Sequence, residues 1–403
     1  MRGNLARPAD TTATGHAYGG PVHPRPDELP EEVDVAVVGG GQSALALGYH
    51  LRRLERDRSR AGLRPLRVVL LDRREAPGGA WLDAWPHLRL FSPADHSSLP
   101  GRLMPAQPGE ASPDAAHVAD YLADYERRYG LAVRRPVTVL RVEEGDAGRL
   151  RLRTDAGDLT ARSVVSATGT WDQPFVPALP GLGSFGGTRL HTHEYRGPEP
   201  FAGRAVLVVG GGNSGAQIAA DLLGTAARVH WVTREPVRFL PDDVDGRVLF
   251  EVASQAVADR AAGRTPTTTV GSLGDVVVTP PVRAARDAGG LVAAPLPATF
   301  TPAGARWADG REEQLDAVVL ATGFRPALHH LRGMPLTWSG SHPATTAPPG
   351  SPFAVASADD ARLWFLGLGD WCGPASATLV GVGRPARDLA AALVARLDGS
   401  APG

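Results

Sequence analysis

A single cysteine, Cys372, stands in 403 residues. That excludes an intramolecular disulfide and a Cys-x-x-Cys dithiol, and with them any mechanism that passes electrons through a redox-active disulfide of this chain. No apolar run approaches the ~20 residues that span a bilayer. The N-terminus lacks an apolar export region and a twin arginine, so a cytoplasmic protein is expected. Neither sign of charge is in excess, with 42 Lys and Arg against 43 Asp and Glu. Neither nucleic acid nor an anionic membrane surface is therefore expected as a partner. No metal site is expected, and the oligomeric state is left open. Length and a 43% apolar content allow a large core and two domains.

Two glycine-rich turns, each after a run of Val, are the main positive signal. The first is Val35-Ala36-Val37-Val38-Gly39-Gly40-Gly41-Gln42-Ser43-Ala44. The second is Ala205-Val206-Leu207-Val208-Val209-Gly210-Gly211-Gly212-Asn213-Ser214-Gly215. Each reads strand, tight turn, helix start. Glycines there let the backbone approach a pyrophosphate, and the helix N-terminus faces it with free N–H groups. Two such turns point to two dinucleotides, and a flavin with a nicotinamide is the pair that exchanges a hydride. The expected fold is α/β, with two Rossmann-like three-layer domains, the second inserted in the first.

Residues 1–31 lack hydrophobic periodicity and read as a flexible leader. Strands are expected at Val33–Val38 and Leu66–Leu71, a helix over Ser43–Arg56, and a charged connection over Arg52–Arg64. Leu150–Arg153 and Asp158–Val165 alternate as a hairpin and return strand. The second unit shows a helix at Ser214–Leu223 and strands at Val229–Thr233 and Asp316–Leu320, with short strands over 291–318. Ala261–Asp287 reads as irregular. Arg384–Leu397 has helical spacing and a closing Gly399. Each half also ends a strand in Ala-Thr-Gly, at Ala167-Thr168-Gly169 and Ala321-Thr322-Gly323. The expected division is 32–190 with 319–399 for a discontinuous FAD domain, and 191–318 for an NADPH domain.

The two turns differ in their third position and in the end of the next strand. In the first, Gly39 and Gly41 hold the first two glycine positions and the small Ala44 the third. Asp72 ends the next strand, where a carboxylate accepts ribose hydroxyls of an adenosine. In the second, Gly210, Gly212 and Gly215 fill all three positions, and the next strand ends in Thr233-Arg234 with no acid. An arginine there pairs with a 2′-phosphate and favours NADPH, unless it is a solvated surface charge.

Gly78-Gly79-Ala80-Trp81 lies downstream of Asp72, and Phe185, Gly187, His191, Tyr195 and Arg196 lie just before the second turn. In these residues the chain resembles the class B flavin-dependent monooxygenases, which include flavin-containing and Baeyer–Villiger enzymes. Their signature is Phe-x-Gly-x-x-x-His-x-x-x-Tyr/Trp with a following basic residue or proline. The two Ala-Thr-Gly turns match as well, and the resemblance covers about residues 33–395. It implies that NADPH reduces FAD, that oxygen adds at flavin C4a, and that the (hydro)peroxide oxygenates an N, S or ketone centre of a small molecule. It implies FAD contacts from Gly39, Gly41, Gln42, Ser43, Ala44, Asp72, Arg73, Gly79, Trp81, Thr168, Gly169 and Asp370. It implies NADPH contacts from Gly210, Gly212, Asn213, Ser214, Gly215, Thr233, Arg234, Thr322 and Gly323. The candidate catalytic group is the signature set His191, Tyr195 and Arg196. His191 is either an organiser of the domain linker and the nicotinamide position or a satisfied structural histidine. Asp370 is either a ribityl ligand or an N-cap, and Cys372 a packing residue beside the flavin or a nucleophile. Trp81, Trp85, Trp171 and Trp371 are candidates to line the cleft.

The chain departs from the family in one stretch. Leu88-Arg89-Leu90-Phe91-Ser92-Pro93 has no Asn where flavin-containing monooxygenases place one at the flavin edge. This segment and Arg238-Phe239-Leu240-Pro241-Asp242-Asp243 look more like a bacterial short-chain branch described in connection with ion transport or metal resistance. Two other readings stay open. One is a flavin oxidoreductase that passes electrons to a quinone, metal or partner without oxygen insertion. The other is a redox-sensing regulatory subunit.

Overall fold

The computed structural model describes residues 29–262, 264–265 and 274–399. The leader expected at 1–31 lies outside the described residues up to position 28, as does part of the stretch read as irregular. In chain order the elements are β1 (Glu32–Val38), α1 (Gln42–Arg60), β2 (Val68–Leu71), α2 (Ala115–Tyr129), β3 (Val133–Arg134), β4 (Val139–Glu144), β5 (Leu150–Thr154) and β6 (Gly157–Ser166). Next come β7 (Thr188–His191), β8 (Ala205–Val209), α3 (Asn213–Leu222), β9 (Arg228–Thr233), α4 (Gly246–Ala261), α5 (Pro280–Asp287), β10 (Ala293–Pro295), β11–β13 (Thr299–Thr301, Gly304–Arg306, Glu312–Gln314) and β14 (Ala317–Leu320). The chain ends with β15–β19 (Trp338–Ser339, His342–Pro343, Thr345–Thr346, Ala356–Ser357, Leu363–Phe365) and α6 (Gly383–Leu397). No helix among the described residues is long and apolar enough to cross a membrane.

The first sheet has nine strands, running β17-β18-β19-β6-β1-β2-β3 with β5 and β4 attached beside β6. Its centre, from β19 through β6 and β1 to β3, is parallel. The strand β1 shows why. Its apolar residues alternate between two cores, Val35 and Val37 against α1, α2 and α6, and Ala36 and Val38 against β4, β5 and Leu331. A parallel strand covered on both faces reads as a continuous apolar run. The second sheet, β10-β9-β8-β14-β7, is parallel throughout. There Val206 and Val208 face α3, while Leu207 and Val209 face Phe300 and Trp307 of the β11–β13 side.

Both β7 and β14 belong to the second sheet. The boundaries expected at 190/191 and 318/319 therefore pass through strands of that sheet. The chain crosses between sheets after Ser166 and again after Leu320. The two crossing segments are bonded to each other, Phe175 N–H to Gly323 O at 3.0 Å, Arg325 N–H to Gln173 O at 2.9 Å and Ala327 N–H to Gly169 O at 3.0 Å.

Several helices differ from the sequence reading. The charged connection expected over Arg52–Arg64 is helical as far as Arg60, because Arg52, Arg53, Arg56, Asp57 and Arg60 sit on the solvent side while Leu51 is buried and the buried Arg58 is paired with Asp398. The helix α5 occupies the end of the stretch read as irregular. Its Pro280 and Pro281 stand at the first two helical positions, where a missing N–H costs nothing. The helices α2 and α4 have no counterpart in the sequence reading; α2 opens on an Asp114 cap that accepts from His117 N–H and closes on Gly130.

The glycine turns repeat one construction. Gly39 (φ +119) and Gly210 (φ +139) both adopt backbone that side chains rarely enter. A Cβ on Gly39 would stand 2.4 Å from Ala167 O, and one on Gly210 would stand 2.1 Å from Ala321 O. Each glycine turn thus packs on the Ala-Thr-Gly turn of its own half, and only glycine fits.

Candidate active site

The first turn opens on a cavity of about 370 Å³. Gly39, Gly41, Gln42, Ser43, Asp72, Arg73, Gly79, Trp81, Thr168 and Gly169 line it, so ten of the twelve expected flavin contacts meet there. Ala44 is fully buried behind it, the small third residue that lets the helix pack on the strand. Asp370 is exposed and not on the wall; its carboxylate accepts from Ala375 N–H at 2.9 Å. Gly367, three residues earlier, is on the wall instead, and a Cβ there would stand 1.8 Å from Ser43 Oγ.

The cavity has the shape of a phosphate cradle. The helix α1 begins at Gly41 with no side chain capping its N–H groups. Gly41 has ordinary extended backbone, and a Cβ there would meet only Gly79 Cα at 3.7 Å. Nothing in the protein therefore demands a glycine at 41, which fits a requirement set by a bound pyrophosphate. Trp81 is fixed beside it by an indole N–H donated to Gln42 Oε1 at 3.0 Å, and Gln42 in turn donates to Ala377 O at 2.7 Å. Of the other tryptophans, Trp171 lines the cavity, Trp85 is buried in the core around α3, and Trp371 stacks on His342 at 4.5 Å.

Around Asp72 the sequence reading missed a network of ion pairs. Asp72 is 3% exposed, and its Oδ2 accepts from Arg135 Nε at 2.9 Å. Arg135 also grips Glu126 with both terminal nitrogens, at 2.6 and 2.8 Å. A Cβ on Gly40 would stand 2.5 Å from Asp72 Oδ2. Arg73 pairs with Asp172, and Arg74 with both Asp83 (2.7 Å) and Asp172 (3.2 Å), tying three loops at the cavity mouth. The Arg135–Asp72 pair and the two pairs with Asp172 join positions far apart in sequence, so no local pattern signals them.

The second turn is the same cradle with different neighbours. The helix α3 starts at Gly212 without a side-chain cap, and a Cβ on Gly212 would meet nothing within 4 Å. By contrast, one on Gly215 would stand 2.1 Å from Gly210 O, which also accepts from Trp231 Nε1 at 2.7 Å. Ser214 lies in the first turn of α3, and Asn213 Oδ1 accepts from Val277 N–H at 2.8 Å. Thr233 is buried, and its hydroxyl donates to Glu235 O at 2.8 Å. Arg234 is exposed at the end of β9, with no ion-pair partner among the described residues. Thr322 donates to Phe175 O at 2.6 Å, and Gly323 is left-handed at φ +82.

None of His191, Tyr195 and Arg196 lines the cavity. His191 is 3% exposed and donates from Nε2 to Gly323 O at 3.0 Å, while its Nδ1 accepts from His193 N–H at 3.3 Å. That network requires the neutral tautomer, and burial lowers the imidazole's pKa in the same direction. Tyr195 is buried and donates to Asp221 Oδ2 at 2.7 Å; burial, then this bond, raises its pKa. Arg196 is exposed and holds the carbonyls of His193 and Tyr195. Of the three, His191 bonds the turn after β14, Tyr195 bonds α3, and Arg196 holds its own neighbours. Cys372 is fully buried against Ser376, and burial raises its thiol pKa, which leaves it a packing residue.

The family described as pyridine nucleotide-disulphide oxidoreductase matches residues 36–249. The structure of the flavin-containing monooxygenase from Stenotrophomonas maltophilia is 44% identical, covers 91% of this chain and 99% of that one, and superposes with a TM-score of 0.79. The chain belongs to the flavin-dependent monooxygenases. The indole-3-pyruvate monooxygenase YUCCA1 of Oryza sativa is 29% identical over 72% of this chain and 76% of its own. A CzcO-like oxidoreductase of Geobacillus kaustophilus is 31% identical over 54% of this chain, which spans 59% of that relative's length. As a flavin-dependent monooxygenase the chain is an oxidoreductase that uses a flavin and a nicotinamide cofactor, with dioxygen and a small molecule as substrates. With one cysteine it retains none of the dithiol chemistry in the family's description.

Proposed function

We propose that this chain is an FAD- and NADPH-dependent monooxygenase that oxygenates a nitrogen, sulfur or ketone centre. The observation that carries this reading is the inequality of two otherwise equivalent cradles. The first has a buried carboxylate, Asp72, at the end of its second strand, and the second has there an exposed Arg234 with no ion-pair partner among the described residues. A carboxylate suits ribose hydroxyls, and a free guanidinium suits a 2′-phosphate. The FAD unit then comprises residues 32–187 with 322–399, and the NADPH unit residues 188–321, which keeps β7 and β14 with their sheet.

The bound flavin would supply the activation of dioxygen; the chain supplies position and electrostatics. The α1 N-terminus and the glycines at 39 and 41 hold the FAD pyrophosphate, and Asp72 the adenosine ribose. Trp81, fixed by Gln42, stands at the isoalloxazine end. The α3 N-terminus holds the NADPH pyrophosphate, and His191 fixes the Gly323 turn beside it.

The purified protein tests the reading. Chromatography of the released flavin is expected to give FAD, and NADPH oxidation to rise with a sulfide, amine or ketone. With labelled dioxygen, one label per NADPH enters the product. Full NADPH turnover with no label in any product would establish electron transfer without oxygen insertion, the reading that Phe91 in place of a hydrogen-bonding residue favours. A preparation that binds no flavin would overturn both.

A further inference from the structure

The stretch from Trp85 to Ser92 joins the two cradles. It leaves the 3-10 turn Gly79–Asp83, which packs under the first glycine turn so closely that a Cβ on Gly79 would stand 2.9 Å from Gly41 Cα. Within a few residues it enters the core of the other sheet. Trp85 is 1% exposed and packs edge-on to Tyr195, with ring centroids 5.9 Å apart. His87 Nδ1 meets Asp221 Oδ1 at 2.6 Å. Gln217, 8% exposed, uses both ends of its amide on one residue: Oε1 accepts from Arg89 N–H at 3.1 Å and Nε2 donates to Arg89 O at 3.2 Å. The segment then returns to the first core at Leu90, whose N–H donates to Pro113 O at 2.9 Å.

Both Gln217 and Asp221 belong to α3, the helix whose N-terminus is the second cradle. Gln217 lies little more than one turn from Gly212. A hydrogen-bonded helix moves as a unit, so a shift at its N-terminus carries both residues. Apart from one antiparallel bridge, Arg89 to Asp114, the strap is not part of a sheet. Its other end is four residues from Trp81.

We propose that Gln217 and Asp221 are positioning residues for the reaction. Through the strap they couple occupancy of the second cradle to the Gly79–Asp83 turn that faces the flavin. Binding at α3 tightens the strap and, through it, the 3-10 turn that carries Trp81 on the wall of the first cavity. The proposal rests on the second cradle being the nicotinamide site. Coupling is reciprocal, so flavin loading tightens nicotinamide binding by the same factor.

Amide hydrogen exchange on the flavin-loaded protein, with and without NADP⁺, tests this. Calorimetry on the same samples reports NADP⁺ binding separately. The amides of Arg89 and Leu90 are expected to gain about tenfold protection with NADP⁺, within the range of ordinary coupling energies. In Gln217→Leu, NADP⁺ still binds within about threefold and the gain falls below twofold. Gln217→Glu keeps the acceptor for Arg89 N–H and loses the donor, and is expected to fall between. NADP⁺ that binds the unsubstituted protein without protecting these amides overturns the proposal and leaves the assignment of the cradle standing. An undiminished gain in a folded Gln217→Leu protein does the same. Absence of any NADP⁺ binding removes both.

Discussion

The His191 imidazole and the Gly323 carbonyl are joined at 3.0 Å, across the end of β7 and the turn that ends β14. The same carbonyl accepts from Phe175 N–H in the other crossing segment. One buried histidine therefore pins both crossings between the sheets. Replacing it with phenylalanine removes the imidazole's bonds to Gly323 O and His193 N–H while Gly323 O keeps Phe175 N–H, a net loss of about 0.5–1.5 kcal/mol per bond. His191→Phe is expected to unfold at correspondingly lower urea concentration and to raise the KM for NADPH. Its flavin content per chain should match the unsubstituted protein, because the imidazole is off the wall of the first cavity, the proposed flavin site.

Gly41 and Gly212 separate the needs of ligand from those of fold. Neither has left-handed backbone, and neither is crowded by protein atoms. Gly41→Val is expected to fold with an unchanged melting temperature and to be isolated without flavin. Gly212→Val is expected to stay yellow and to lose nicotinamide affinity. Gly39→Val, which drives a Cβ into Ala167 O, should fail to fold. A yellow Gly41→Val protein would remove the first cradle as the flavin site.

In the proposed assignment, Arg234 reads the 2′-phosphate. A charged contact to a phosphate contributes roughly 1.5–3 kcal/mol, which is about ten- to a hundredfold in affinity. Arg234→Ala should raise the KM for NADPH by that factor and leave NADH nearly unaffected. Equal losses with both cofactors would place Arg234 away from the 2′-phosphate.

Acid should destabilise the protein below the range where histidine normally titrates. Burial pushes His330 down to about 3, where it meets Ser166 Oγ at 2.9 Å, and pushes His50 down to about 4. A histidine held neutral when folded binds its proton only on unfolding. Stability contributed this way is present above pH ~6.5 and is lost as pH falls toward the folded-state values. For His330 the loss between pH 7 and pH 5 is about 2 kcal/mol. Urea titrations at the two pH values should show it, and His330→Gln should flatten the difference.

Both cradles were legible because their signals are local. Gly39, Gly41, Gly210, Gly212 and the Val runs before them fall within single turns, and backbone geometry permits few alternatives there. Asp72 was legible for the same reason, as the end residue of a strand. Asp370 shows the limit of this reasoning. It sits beside a glycine cluster that does reach the cavity, but the turn aims Gly367 at Ser43 and leaves the acid outside. The helix α2 carries local punctuation of its own, the Asp114 cap and Gly130, which the sequence reading passed over.

The sequence by itself determined the two dinucleotide cradles, the absence of a dithiol and the opposite charges that set one cradle apart from the other. Each depends on residue identity within a few positions or on a count. Only the tertiary structure decided that β7 and β14 belong to the second sheet, that Arg135 grips Asp72, that His191 pins the crossings through Gly323 O, and that Trp85 to Ser92 passes from one core to the other. Those arrangements depend on which buried groups find partners from distant parts of the chain. Burial enforces that pairing in three dimensions, and it leaves no periodic trace along the sequence.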